Sequence, residues 1–225
     1  LSEATLEIKK KRERRRLVIS TLPIFLEKSL NHRFPAFQRK NTKIDFQIEF
    51  HEGTSVDLPE GVDACVYYSN QRHLSGEATY LFSEELFPVC SPEMLRQLPE
   101  NPSADQIARL PRLHDMFWSD DWQNWAQGVG VPVANLSRGM RFALYSGVIH
   151  AACAGMGVAI GHSAMIGDEL ADGRLVALKR FAVRSPKSYY LVIPEMAASE
   201  PVMRNLKDWL QTEARTDRRV ISEEP

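Results

Sequence analysis

The sequence predicts an α/β fold of two lobes, and three stretches carry that expectation. Residues 140–163, MRFALYSGVIHAACAGMGVAIGHS, read as a strand end, a short helix and a second strand. Met140, Phe142 and Leu144 alternate as a buried strand would, Ser146 offers a capping hydroxyl, and residues 147–154 carry apolar side chains at helical spacing. Gly155 and Gly157 stop that helix, Val158, Ala159 and Ile160 resume as a strand, and Gly161-His162-Ser163 marks the next turn. A unit this short favours a parallel sheet with the helix N-terminus at the carboxyl edge of the strands. The second stretch, IDFQIEF at residues 44–50, alternates strictly and predicts a half-buried strand with Ile44, Phe46, Ile48 and Phe50 inward. The third observation is a pair of segments, residues 80–90 and 189–193, that can cross between lobes, followed by an amphipathic helix over 201–214 that returns to the first lobe.

The remaining elements follow in order. Residues 1–16 look like a helix end that runs into seven basic residues interrupted by Glu13, and a solvated connector accounts for them better than a phosphate-binding arm. Leu17-Val18-Ile19 is a short buried strand, closed by Ser20-Thr21. Pro23 suits the first turn of a helix over 23–38 that presents Phe25, Leu26, Leu30, Phe34 and Phe37, and Pro35 shortens or breaks it. A strand over 62–68 follows Pro59-Glu60-Gly61. Further on, Ser91-Pro92 and Ser103-Ala104 open helices, Leu113-His114 begins a strand, and residues 121–127 form a short helix with Trp122 and Trp125 three apart. Residues 165–171 and 175–178 complete the second lobe as a helix and a strand, and the chain ends in a polar tail from residue 216.

Composition narrows the classes. With 225 residues, 44% hydrophobic and 25% charged, the chain can bury one large core or two small ones. A net charge of -1 argues against a protein that binds nucleic acid with its whole surface. Cys65, Cys90 and Cys153 are an odd number, lack a CxxC pair and sit in or beside apolar runs, as free thiols of a reducing cytoplasm do. No signal peptide or membrane-length apolar run is recognisable, so an intracellular protein away from the membrane is expected, and Leu at position 1 is compatible with a fragment.

The sequence holds no GxSxG elbow, Walker loop, dinucleotide glycine fingerprint or HExxH helix, which lowers the expectation of an enzyme without excluding one, and no catalytic residue, metal or cofactor is expected. His150 and Cys153, three apart, lack a third metal ligand and read as packing. His114-Asp115 reads as an ordinary exit from a strand, and adjacency alone does not make it an acid/base pair. Trp118, Trp122 and Trp125 either fill a core or offer a stacking platform, and core packing is the commoner use. A small anion could bind at the start of the 147–154 helix, where free N–H groups, the dipole and the Ser146 hydroxyl meet, although a plain α/β turn that binds nothing explains the same residues.

Taken together the motifs resemble the effector-binding portion of LysR-type transcriptional regulators over nearly the whole chain. The resemblance rests on Ser20-Thr21 before a helix, on Gly61-Val62-Asp63-Ala64-Cys65-Val66, on residues 85–92 (ELFPVCSP) and on residues 154–159 (AGMGVA). Asp121-Trp122 and Tyr189-Tyr190-Leu191-Val192 are similar to the subgroup of glycine-cleavage and β-lactamase regulators, whereas Tyr67 stands where that subgroup often has Arg.

The resemblance implies two Rossmann-like lobes joined by two crossing strands, like type 2 periplasmic binding proteins: a first lobe of residues 17–87 and 191–214, a second of 88–190, a connector at 1–16 and a tail at 215–225. It implies a small-molecule effector in the cleft, contacted by Ser20, Thr21, Thr54, Tyr145, Ser146 and His162. It also implies a winged helix-turn-helix that contacts DNA and lies outside this sequence, no enzymatic activity, and a homodimer or homotetramer with Phe25, Leu26 and His150 at the interface. An exported solute-binding protein or a transferase on a related scaffold is the alternative.

Overall fold

The computed structural model describes residues 14–51, 58–70, 75–132, 136–217 and 220. The first half alternates strands and helices: β1 (Arg15–Thr21), a single turn α1 (Pro23–Phe25) running into a π-helical turn (Leu26–Leu30), α2 (Phe34–Lys40), β2 (Ile44–Phe50), β3 (Ala64–Ser69) and the long β4 (Glu77–Cys90). After it come α3 (Pro92–Leu95), α4 (Ala104–Ala108), β5 (Leu113–Asp115), α5 (Asp121–Val129), β6 (Met140–Phe142), α6 (Tyr145–Cys153), β7 (Ala159–His162), α7 (Gly167–Ala171), β8 (Val176–Ala177), a 3-10 turn (Lys179–Phe181), β9 (Val183–Ile193) and α8 (Pro201–Thr216).

β1 lies parallel to β2 along its whole length and to β3 at Ile19 and Ser20, while β9 runs antiparallel between β3 and β4. The first lobe therefore has the order β2-β1-β3-β9-β4. Further along the same two long strands, β7 joins β4 antiparallel, Arg112 bridges Val158 in parallel, and β5 pairs with β6 in parallel. The second lobe thus repeats the order as β6-β5-β7-β4-β9. β4 and β9 are the two crossing strands, and their pairing shifts register between Tyr80 and Phe82 and between Ser83 and Glu85, at the passage from one lobe to the other. There Ser83 and Ser188 share a hydrogen bond of 2.7 Å between buried hydroxyls.

Leu17 to Ile19 are buried at the centre of β1, and α8 lays Met203, Leu206, Leu210 and Ala214, one helical stripe, against the first lobe, where each large side chain contributes about 2 kcal/mol of burial. Arg33 pairs with Glu213 at 3.3 Å and Asp217 at 2.9 Å, which fixes the end of α8 beside α2. In the second lobe Trp122 and Trp125 meet edge to face in the core, as their spacing suggested.

Four local expectations are corrected. The helix expected over 23–38 is broken at residues 31–33, and Pro35 begins its second piece rather than ending the first. The strand expected through Leu144 stops at Phe142, because β6 is an edge with β5 as its partner, and Met140 and Leu144 are about half exposed. Ser146 does not cap α6: Leu144 occupies the cap position and Ser146 lies within the first turn. His162 belongs to the end of β7, paired with Leu86, rather than to a turn.

Candidate functional site

The carboxyl ends of the parallel strands in the two lobes face each other across a cavity of about 310 Å³. One wall is the exit of β1 and β2: Leu22, Pro23, Ile24, Phe50 and His51. The other is the exit of β5 and β6: Asp115, Phe117 and Trp118 from one loop, then residues 143–146 at the start of α6. This placement is the one expected of open α/β sheets, whose ligands bind outside the carboxyl ends of strands. The volume lies at the low end for ligand sites, the size of a metabolite.

On the first wall, His51 Nδ1 lies 3.0 Å from Ser20 Oγ and 3.5 Å from Cys65 Sγ, and its ring packs against Tyr67 at 4.8 Å. Burial lowers the His51 pKa to about 4, so the imidazole is neutral, and burial pushes the Cys65 thiol up to about 11. On the second wall, Gly147 and Val148 donate their N–H groups to Leu144 O, at 2.9 and 3.4 Å. The N–H groups of Tyr145 and Ser146 precede the first intrahelical bond and have no protein acceptor among the described residues, and no side chain caps this end. The Asp115 carboxylate is 6% exposed; its Oδ1 accepts from the N–H groups of Phe117 and Trp118 at 2.7 and 2.8 Å. Burial raises the Asp115 pKa from the ordinary carboxylate range.

Behind Trp118 lies a buried ionic cluster. His162 Nδ1 is 2.7 Å from Glu84 Oε1 and its Nε2 is 3.0 Å from Asp121 Oδ2, with all three side chains nearly inaccessible. Burial alone would lower the His162 pKa, but the two carboxylates outweigh it and raise it to about 10, so the ring is an imidazolium. Burial pushes the Asp121 carboxyl up. Trp118 covers the imidazolium at 4.1 Å, and the Tyr145 hydroxyl donates to Ile160 O and accepts from the His162 N–H, both at 3.0 Å. The cluster holds Glu84 on a crossing strand, Asp121 on α5 and the first residue of α6 in one frame beneath the cavity.

Comparison with known proteins decides the family. Residues 10–215 match the model of the LysR substrate binding domain. This chain belongs to the LysR-type transcriptional regulators. The effector domain is 28% identical over 214 residues, 95% of the chain and 70% of the relative, to the glycine cleavage system transcriptional activator of Escherichia coli K12. It is 29% identical over 201 residues, 88% of the chain and 67% of the relative, to the HTH-type transcriptional activator AmpR of Enterobacter cloacae. The solved effector domain of Pseudomonas aeruginosa AmpR superposes with a TM-score of 0.77 at 26% identity, over 90% of this chain and 96% of that one. A LysR domain is a regulator rather than an enzyme, and its fold is the two-lobed one, both as the resemblance implied.

Within this LysR domain, Tyr145 and Ser146 line the cavity. Ser20 does not line it and instead backs His51 through their hydrogen bond. Thr21 is fully buried at the end of β1, one residue before Leu22, and its hydroxyl has no hydrogen-bond partner among the described residues. His162 is separated from the cavity by Trp118. Thr54 lies outside the described residues. Phe25 is a core residue, 1% exposed and stacked between Phe82 and Tyr189, which corrects its assignment to an interface; Leu26 is half-buried and His150 exposed. Sequence reasoning missed Phe50, His51, Asp115 and Phe117 as cavity residues, and Trp118 was left open between core and platform. The available signal was that each ends a strand or lies within two residues after its carboxyl end.

Proposed function

We propose that this domain senses a small polar or anionic effector in the cavity between its lobes and passes that event to a DNA-binding head. The supporting observation is that one cavity takes its walls from both strand-exit edges and receives the uncapped start of α6 and the Ser146 side chain. A ligand that touches both walls stabilises the arrangement in which both contacts exist, and the difference in affinity between arrangements sets how far the equilibrium moves. The head is a winged helix-turn-helix outside this sequence, the assembly is a homodimer or homotetramer in the cytoplasm, and the interface uses Leu26 and the exposed His150 of α6 from neighbouring copies. The lobes divide the chain as residues 17–87 with 191–214 and residues 88–190.

The test is a thermal-shift screen of amino acids, small carboxylates and cell-wall fragments against the domain, repeated with Ser146→Ala and with Ala143→Trp, which places an indole in the cavity. A ligand at a hundredfold its Kd stabilises the domain by about 2.7 kcal/mol, which reads as a rise of several degrees in Tm. Ala143→Trp abolishes the shift and Ser146→Ala reduces it. A hit that neither substitution affects places the effector elsewhere and overturns this reading.

A further inference from the structure

The charges in the cavity narrow the ligand class further, given that the cleft is the effector site. Among the described residues that line it, Asp115 is the one with a carboxylate, none is Lys or Arg, and His51 is neutral. A simple carboxylate or a phosphate would gain from the start of α6 but would meet a buried anion on the same wall. A simple amine would satisfy Asp115 and leave the Tyr145 and Ser146 N–H groups unmatched. Both features are satisfied at once by a molecule that carries a cation and an anion a few atoms apart.

The two features also sit at neighbouring strand exits. Asp115 pairs in register with Phe142 across β5 and β6, and neighbouring strands lie about 4.8 Å apart. Tyr145, the first residue of α6, follows Phe142 by three positions. Asp115 is more than nine-tenths buried, its Oδ1 is engaged by two backbone N–H groups, and its Oδ2 has no hydrogen-bond partner among the described residues. The rest of the wall is apolar or aromatic: Leu22, Ile24, Phe50, Phe117 and Trp118.

We propose that the cleft takes an α-amino acid as a zwitterion, with its carboxylate on the Tyr145 and Ser146 N–H groups and the Ser146 hydroxyl, its ammonium on Asp115 Oδ2, and an apolar side chain among Leu22, Ile24, Phe50 and Trp118. The assignment commits to a fixed polarity, ammonium toward the β5 exit and carboxylate toward α6. Asp115→Asn keeps an oxygen for the Phe117 and Trp118 N–H groups and removes the charge, so it separates recognition from folding.

The experiment is titration calorimetry of the domain with two matched sets: L-leucine, isocaproate and isoamylamine, then L-phenylalanine, hydrocinnamate and phenethylamine. The expected result is that at least one zwitterion binds at least roughly tenfold more tightly than both of its single-charge analogues. Asp115→Asn then weakens that zwitterion roughly ten- to hundredfold while isocaproate or hydrocinnamate binds as before or better. Equal binding of zwitterion and matched carboxylate, or a zwitterion unaffected by Asp115→Asn, overturns the proposal and leaves the cleft standing as effector site if Ala143→Trp still blocks binding. The same holds if neither set binds while another ligand of the wider screen binds and is blocked by Ala143→Trp. Should Asp115→Asn fail to fold, the ranking of the matched sets on the unaltered domain decides alone.

Discussion

His51, just past β2 in the first lobe, and His162, at the end of β7 in the second, have opposite electrostatic surroundings. His162 is held near a pKa of about 10 by Glu84 and Asp121, above its ordinary value, so it contributes stability that is complete below about pH 6.5 and is lost as the pH rises through 10. His51 is held near 4 by burial, so its contribution is complete above about pH 6.5 and is lost as the pH falls through 4. Urea unfolding across that range should show stability decline on both sides of a maximum close to neutrality. His162→Gln should remove the alkaline decline and cost roughly 3–5 kcal/mol near neutral pH, because it leaves two buried carboxylates without a cation. His51→Asn should remove the acid decline at little cost near neutral pH. An alkaline limb that survives His162→Gln would show that the imidazolium is not its source.

At the scale of elements, close approach between strands and helices sets which residues are tolerated. A Cβ on Gly161 would lie 2.6 Å from Ile166 Cδ1 and 2.7 Å from Val89 Cγ1, where β7 packs beside β4. Gly161→Ala should therefore destabilise the domain by about 1–3 kcal/mol and, by displacing β7, weaken any ligand bound at the start of α6, both readable from melting curves with and without ligand. Unchanged stability would mean that β7 has room to move.

Much of this layer was legible in the sequence, and the exceptions have physical causes. The alternation of IDFQIEF gave β2 its full length, but Phe50 is 58% exposed, because the inward face of a strand ceases to be core where the strand opens on a cavity. The same cause hid Asp115: a pattern of burial marks what packs, whereas a cleft residue is defined by contacts between lobes that sequence periodicity does not encode. The break in the 23–38 helix was legible as the effect of a proline, but its position was not, since Pro35 fits the first turn of α2 and the π-helical turn shifts the break upstream. The His162 cluster gave no local signal at all, its members being Glu84, Asp121 and His162 on three separate elements.

For the whole molecule, one contact that ties distant parts is Lys28, on the turn after α1, with Glu169 on α7 at 2.7 Å and Asp168 at 3.4 Å. The Glu169 side chain is 3% exposed, with Arg174 as its other cation at 3.3 Å. Removing Lys28 leaves a buried carboxylate partly unpaired, so Lys28→Met should cost about 3 kcal/mol in urea unfolding, and Lys28→Met with Glu169→Leu should recover a good part of it. A double variant no more stable than the single one would assign the loss to Lys28's packing rather than to the ion pair.

The way the chain threads its lobes also bears on how the protein is made. An interior place in the first lobe's sheet, between β3 and β4, is held by the last strand among the described residues, and the helix that covers that sheet comes later still. A nascent chain that has emerged through residue 180 has the second lobe's helices but an open seam in the first. Maturation of the first lobe must wait for β9 and α8, so a premature stop anywhere before Ile193 should leave the first lobe, not the second, as the part of this domain that chaperones and proteases meet.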